Sequence, residues 1–388
     1  MVVAELIPFN EPSIEGREIE YMSRAVQQGH TSCKGPFSTA VAQQLANHHG
    51  AAGALLTTSC TAALEMAAML LDIEPGDVVI VPSFTFVSTA LAFVRAGARI
   101  RFADIERETL GLDPASVADL LTPEVRAVVP VHYAGVGCDL DGLTKVLAGS
   151  RATMVEDNAH GLFGTLDGRP LGSFGRFAAL SFHETKNFVC GEGGALLIND
   201  PGDVQRANVL CDKGTDRQSF LLGQVDKYSW VDTGSSFGLS DLLAAYLLGQ
   251  LEAREQILSK RRMVTERYHE LLAPHADRLG YELMAPPPGR GSAYHMFYVL
   301  LDDGARRESV LSSMKDDGVM ATFHYVPLHS AAAAHRFADS VTECPVTDDV
   351  SARLIRLPFF NSLGWDRIEI VVRSFLKAVG GTALAQRQ

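Results

Sequence analysis

The chain has 388 residues, 47% hydrophobic and 21% charged, with 34 Lys and Arg against 46 Asp and Glu for a net charge of −12. This is the composition of a globular protein long enough for two domains or one large one. The acidic balance argues against a general nucleic-acid or anionic-membrane binder, while leaving room for a local cationic patch that holds a small anion.

The N-terminal stretch "MVVAELIPFNEPSIEG" has no basic region and no long apolar core, so no signal peptide is expected. The six cysteines, Cys33, Cys60, Cys138, Cys190, Cys211 and Cys344, form no C-x-x-C pair. A disulfide framework and a zinc site are therefore not expected, and a reducing, cytoplasmic setting fits. The helix-like run "AALEMAAMLL" is too short to span a bilayer and is interrupted by Glu65, so no membrane contact is expected.

From about residue 50 to 200, short apolar runs alternate with helical patterns. The runs are 77–82 (DVVIVP), 98–105 (ARIRFADI), 126–133 (RAVVPVHY), 152–158 (ATMVEDN), 177–183 (FAALSFH) and 194–200 (GALLIND). Such alternation predicts an α/β layer architecture with a mostly parallel sheet covered on both faces. The last two runs are joined by a short Gly-rich link, which suits a local antiparallel pair. Residues 239–274 read as one long helical pattern, apolar early and charged later, leaving the core for a second unit. Beyond the loop at 285–292 the pattern predicts a strand (AYHMFYVLL), a helix (RESVLSSMKDDG), a strand (VMATFHYVP) and two terminal helices. The expected division is a large α/β domain over 1–250, with an N-terminal arm, and a small α+β domain over 251–388.

Several common site signatures are absent: G-x-G-x-x-G, the P-loop, H-E-x-x-H and G-x-S-x-G. Three other features converge. In "LLTTSCTAALEMAAMLL", Thr57, Thr58, Ser59, Cys60 and Thr61 stand between a strand-like run and an apolar helix. A helix N-terminus rich in hydroxyls suits a phosphate, although a plain N-cap needs only one of them. In "MVEDNAH", Glu156, Asp157 and His160 follow an apolar run, and carboxylates at the C-terminal ends of parallel strands face the ligand crevice. In "SFHETKNFVCGEGG", Lys186 lies between an apolar run and a glycine cluster. Alone it reads as a solvated loop lysine. At the rim of a core it reads instead as a partly desolvated amine ready to act as a nucleophile. A buried aspartate, a lysine and a phosphate cup together suit pyridoxal 5′-phosphate (PLP).

These segments carry a resemblance over essentially the whole chain. The stretch "VEDNAHG…LGSFGRFAALSFHETKNFVCGEGGALLIND" resembles the DegT/DnrJ/EryC1/StrS sugar-nucleotide aminotransferases, PLP-dependent enzymes of fold type I with an aspartate aminotransferase-like architecture. "TTSCTAALEMAAMLLDIEPGDVVIVPSFTFVSTA", "VPVHYAGV", "GQVDKYSWVDTGSS" and "FHYVPLH" are similar to the subgroup that makes dTDP-4-amino-4,6-dideoxygalactose. The resemblance implies that Lys186 holds the cofactor and shuttles the proton, that Asp157 meets the pyridine nitrogen, and that His160 lies near the phenolic oxygen. It implies that Phe86 stacks on the ring, a choice over Phe84 that spacing alone leaves open. It places Ser59, Cys60, Thr61 and Ser181 at the phosphate. Where much of the family has an asparagine reaching the phosphate from the partner subunit, this chain has Ser236. No metal is implied.

The activity implied is transfer of an amino group from L-glutamate to the C4 ketone of dTDP-4-keto-6-deoxyglucose by a homodimer with shared active sites. Lys213 and Arg217, in "CDKGTDRQSF", are the expected cations for the sugar-nucleotide diphosphate, and His329 in "FHYVPLHS" the expected contact to sugar or donor. The alternatives are a 3-keto sugar-nucleotide aminotransferase of the same family and an inactive, nucleotide-sugar-binding regulatory member.

Overall fold

The computed structural model describes residues 6–340 and 342–385. Its large sheet has seven strands: β1 (Gly53–Thr57), β2 (Val78–Pro82), β3 (Arg99–Ala103), β4 (Val125–Val128), β5 (Thr153–Asp157), β6 (Phe177–Ser181) and β7 (Gly194–Ile198). Their order is β1-β7-β6-β5-β4-β2-β3. The pairs among β2 to β6 are parallel, whereas β7 runs antiparallel to both neighbours. The Gly-rich link between the last two apolar runs thus closes the antiparallel pair its length suited. Registers set Ser181 and Thr57 on either side of Gly194, so three strand ends meet at one point of the crevice.

Alternation along the strands explains why both faces are covered. In β7, Leu196 and Ile198 pack with α3 (Cys60–Leu70) and α4 (Ser88–Ala96), while Ala195 and Leu197 pack with α1 (Glu18–Gln27), α2 (Pro36–His49) and α5 (Asp241–Glu252). A period-two strand with both sides apolar can only be buried twice.

The pattern over 239–274 resolves into two helices rather than one. Ala253 leaves helical geometry (φ −87°, ψ 13°), and α6 (Arg254–Leu272) follows. The two halves serve different cores, which is why they part. Leu247 and Leu251 of α5 pack on the large sheet, whereas Val264, Tyr268 and Leu272 of α6 pack with the small unit. That unit is an antiparallel sheet, β8 (Tyr281–Leu283), β9 (Tyr298–Leu301) and β10 (Leu354–Arg356), with β9 central. Against it lie α7 (Arg307–Asp316), α8 (Pro345–Arg353) and α9 (Trp365–Ala385).

A second element also differs from the sequence reading. "VMATFHYVP" does not form a strand. Among the described residues its backbone pairs with other segments only in single bridges, Val319 with Ile7 and Thr322 with Arg356. The third strand is β10 instead, whose Leu354 and Ile355 are fully buried. Freed from a ladder, residues 320–325 instead line the cleft between the two units.

Candidate active site

That cleft is a cavity of about 670 Å³ at the C-terminal ends of the parallel strands. Its walls come from the α3 N-terminus, the 85–89 turn, the ends of β5 and β6, and the segments around His324 and Arg356.

Lys186 lies in the loop that joins β6 to β7. Phe182 N–H donates to Gly193 O and Glu184 N–H to Gly191 O, pinching the loop, and Lys186 N–H donates to His183 O. Gly191 sits at φ +86°, a conformation that glycine adopts without strain. The side chain is half-buried within the cavity. Burial lowers the amine pKa from the usual 10.5 to about 8, with Arg356 acting in the same direction and Cys60 and Asp157 opposing.

Strand alternation separates the two carboxylates of "VEDN". Asp157 faces the cavity. Its Oδ2 accepts from Thr89 Oγ1 at 2.7 Å and its Oδ1 from Ala159 N–H at 3.2 Å. Thr89 in turn bonds Thr85 Oγ1 at 2.8 Å. Burial raises the Asp157 pKa, and Thr89, the Ala159 amide and Lys186 counter this only in part. Glu156 faces the other way, fully buried. It accepts from the amides of Gly172, Phe174 and Gly175 and lies 2.9 Å from His132 Nε2. Burial pushes its pKa up, but His132 and the amides outweigh it and hold it below the ordinary value. Glu156 braces the loop after β5 and plays no part in the cavity.

His160 reaches the cavity with its ring stacked on His295, centroids 4.1 Å apart and planes 16° from parallel. Burial depresses both pKa values well below normal, so both rings are neutral. His295 Nδ1 lies 2.7 Å from Asn187 Oδ1, the residue next to Lys186. His160 Nδ1 is buried with no protein partner, the state expected of an atom that meets a ligand.

At the α3 N-terminus, Ser59 caps the helix by accepting from Ala62 N–H at 3.0 Å, which leaves its own hydroxyl hydrogen free. Thr61 Oγ1 donates to Ser88 Oγ at 2.9 Å. The amides of Cys60 and Thr61 stand at the first two helical positions, where no preceding turn offers a carbonyl. Gly194 packs directly on this end. A Cβ there would lie 2.4 Å from Cys60 N, so only glycine lets β7 approach. Ser181 completes the rim. Free amides, hydroxyls and a helix dipole make a cradle that fits a phosphate, and Asp157, His160 and Lys186 around it fit the ring of PLP.

The two phenylalanines left open by spacing separate here. Phe84 is fully buried against Tyr133 and Tyr325, whereas Phe86 is 59% exposed and lines the cavity.

Four expected residues are not brought to this cavity. His329 Nδ1 lies 2.7 Å from Ser83 Oγ and its Nε2 lies 3.5 Å from Asp348, outside the lining that His324 and Tyr325 join. Lys213 is exposed beside Asp212, whose backbone bridges to Ser236, and Arg217 opens the short helix Arg217–Leu221. These last three belong to one surface segment of the chain. Thr89, His295 and Arg356 were not singled out in the sequence. Arg356 had a signal, a lone charge within the apolar run "LIRLPFF". Thr89 and His295 had none, since their partners lie 68 and 108 residues away.

An α/β crevice holding a lysine with a lowered pKa, a buried aspartate and a phosphate cradle fits a PLP-dependent enzyme. The model of the DegT/DnrJ/EryC1/StrS aminotransferase family matches residues 12–376, and the chain belongs to that family, which is PLP-dependent and acts on sugars. The spore coat polysaccharide biosynthesis protein SpsC of Bacillus subtilis is 29% identical over 395 residues, 97% of each chain. Among solved structures, the aminotransferase TlmJ of Streptoalloteichus hindustanus is 27% identical with a TM-score of 0.89, covering 97% of this chain and 100% of that one. DesV of S. venezuelae, solved with a ketimine intermediate, is 26% identical with a TM-score of 0.87, covering 97% and 99%. No helix among the described residues is long and apolar enough to cross a membrane, and no metal-ligand cluster is found among them.

Proposed function

We propose that this sugar aminotransferase moves an amino group from L-glutamate to the C4 ketone of dTDP-4-keto-6-deoxyglucose, giving a dTDP-4-amino-4,6-dideoxyhexose. The observation that carries the transamination is the half-buried amine of Lys186, lowered to about 8, in one cavity with Asp157. PLP supplies an aldehyde that takes up amines and a ring that accepts the electron pair left when the neighbouring C–H bond breaks. Lys186 would hold the cofactor at rest and carry the proton between the substrate carbon and the cofactor, a task suited to an amine with a pKa of about 8. Asp157, held by Thr89 and Ala159, meets the ring nitrogen. His160 offers its unpartnered Nδ1 to the cofactor, Phe86 lies against the ring, and Ser59, Cys60, Thr61 and Ser181 take the phosphate.

The choice of a C4 ketone rests on the resemblance of "SFHETKN", "GQVDKYSW" and "FHYVPLH" to the 4-amino subgroup. A cytoplasmic homodimer is part of the same reading, with residues 1–250 as the cofactor domain, 251–388 as the small domain, and Ser236, Lys213 and Arg217 as further substrate or cofactor contacts. The test is an assay with L-glutamate and dTDP-4-keto-6-deoxyglucose, followed by NMR of the product. Nitrogen at C4 is the expected result. Nitrogen at C3 replaces this reading with the 3-keto one, and a protein that purifies without bound cofactor and shows no turnover points to a regulatory member.

A further inference from the structure

Among the described residues no hydrogen bond holds the ring of His160, and its Nδ1 is buried without a partner. Two aromatic contacts are left to orient it. Tyr133 meets it edge-on with centroids 5.9 Å apart, while His295 lies flat against it at 4.1 Å with planes 16° from parallel. The bond that joins an imidazole to its Cβ has broad, shallow wells, so a ring whose nitrogens are unbonded keeps its angle only if a neighbour blocks the turn. A stacked neighbour does so, favouring one orientation by up to about tenfold.

His295 is itself fixed at both ends. Its backbone carbonyl accepts from Arg261 Nη2 at 2.6 Å, and Tyr294 O accepts from Arg261 Nε at 2.7 Å. Its Nδ1 lies 2.7 Å from Asn187 Oδ1, and Asn187 Nδ2 donates to Ala293 O at 2.6 Å. A carbonyl accepts only from the nitrogen of an amide, so the Asn187 oxygen is the atom that faces His295, and Nδ1 carries the proton. Burial, then His160, Lys186, Arg356 and Arg261, all oppose a charge on this ring. Burial, then Lys186, His324, Arg356 and His132, oppose one on His160. A single neutral tautomer in a single orientation therefore backs His160. Asn187 follows Lys186 in the chain and Arg261 belongs to α6, so the cofactor loop and a helix packed on the small unit set this ring together.

We infer that His295 is a positioning residue, which holds the His160 ring at the angle where Nδ1 meets the cofactor and is itself locked for that task by Asn187. This rests on the reading that puts His160 beside the phenolic oxygen of PLP. The competing role is direct contact with substrate, because His295 lines the cavity and its Nε2 is left as a bare acceptor. Replacing the ring by another flat one separates the two roles.

The test follows the visible absorption of PLP-loaded protein against pH. Its midpoint reports the proton on the nitrogen that joins Lys186 to the cofactor. A hydrogen bond to the phenolic oxygen stabilises the negative charge there and weakens its hold on that proton, so loss of the bond raises the midpoint. His160→Ala should raise it by about one pH unit, the worth of one charge-assisted hydrogen bond. His295→Ala should raise it by about half a unit, and His295→Phe, which keeps the stacked plane, by less than about 0.2. The double variant His160→Ala/His295→Ala should match His160→Ala, since a residue that acts through His160 adds nothing once His160 is gone. If His295→Ala does not fold, His295→Leu, which fills the space without an aromatic plane, takes its place. An unshifted midpoint in that variant, or shifts that add in the double variant, overturns the inference and leaves the place of His160 intact. A His295→Phe shift as large as that of His295→Ala shows that Nε2 and not the plane is what matters, and overturns it too. If His160→Ala leaves the midpoint where it was, the reading of His160 fails, and this inference with it.

Discussion

At Lys186 the pKa of about 8 has a direct kinetic consequence. Only the neutral amine attacks an aldehyde. The rate at which cofactor-free protein captures PLP should therefore rise about tenfold per pH unit below 8 and level off above it. A surface lysine would keep rising towards 10.5. Stopped-flow absorbance of PLP capture distinguishes the two, and a plateau reached only above pH 10 contradicts the burial argument. Borohydride reduction of the loaded protein should place the added mass on the peptide containing Lys186. Lys186→Ala should fold and keep its quaternary structure, yet lose turnover by more than about 10⁴-fold; appreciable residual transamination, or label on another lysine, removes the residue from its central role. Thr89 allows a subtler test, because its hydroxyl donates to Asp157 Oδ2 at 2.7 Å inside the core. Thr89→Val keeps the shape and removes that donor. Asp157 should then bear its charge less readily, and the affinity for PLP should fall about tenfold, with the thermal melt little changed without cofactor. An unaltered Kd for PLP would show that Asp157 needs no such support. Lys186 and Asp157 were legible from sequence because each ends an apolar run beside glycines or a second polar group. Thr89 was not, since a hydroxyl in "FVSTA" reads as surface until β5 is laid against α4.

Among the elements, the site depends most on the contact between the start of β7 and the N-terminus of α3. The Gly194 position has no room for a methyl group, with Ser59 C and Cys60 N both at 2.4 Å from an added Cβ. Gly194→Ala must push β7 away from the helix or displace the amides of Cys60 and Thr61. Overpacking of this kind destabilises by about 1–3 kcal/mol. Both responses loosen the cradle, so the Kd for PLP should rise together with a lowered melting temperature of the cofactor-free protein. A variant that melts earlier but binds PLP as tightly would show that the cradle does not hold the phosphate. The parallel strands and their helices were legible because each buries two apolar faces and so reads as a continuous run. Residues 319–327 were misread because "VMATFHYVP" has the composition of a strand, while its neighbours decide otherwise: the ladder position beside β9 goes to Leu354–Arg356, whose apolar side chains are fully buried or nearly so. The break at Ala253 was hidden for a similar reason. Helical periodicity runs through it, and only the change of partner from one core to the other shows where the helix must turn.

For the whole molecule, the segment 212–237 is the part that a single chain leaves unexplained. Within it Trp230 is 81% exposed and Leu221 71%, and Phe220, Leu222, Tyr228 and Val231 are exposed as well. Monomers rarely present so many large apolar groups on one short stretch, and aromatic side chains are enriched where chains meet. Lys213, Arg217 and Ser236 belong to the same segment and do not line the cavity of their own chain. A homodimer in which this segment covers the partner's cavity accounts for both facts at once. Leu221→Asp should then give monomers by analytical ultracentrifugation, with activity lost in proportion. Lys213→Ala and Arg217→Ala should raise KM for the sugar nucleotide far more than for glutamate. The decisive measurement is complementation. Lys186→Ala and a Lys213→Ala/Arg217→Ala double variant are each defective as homodimers. If the cations act across the interface, a mixed dimer has one site with both defects and one with neither. Unfolding and refolding an equimolar mixture should then restore roughly a quarter of wild-type activity, from half the dimers with one sound site each. If the cations act within their own chain, every mixed dimer has two impaired sites and mixing restores nothing. In that case the cations would have to reach Lys186 by a rearrangement of 212–237 within one protomer, and the shared-site dimer is wrong.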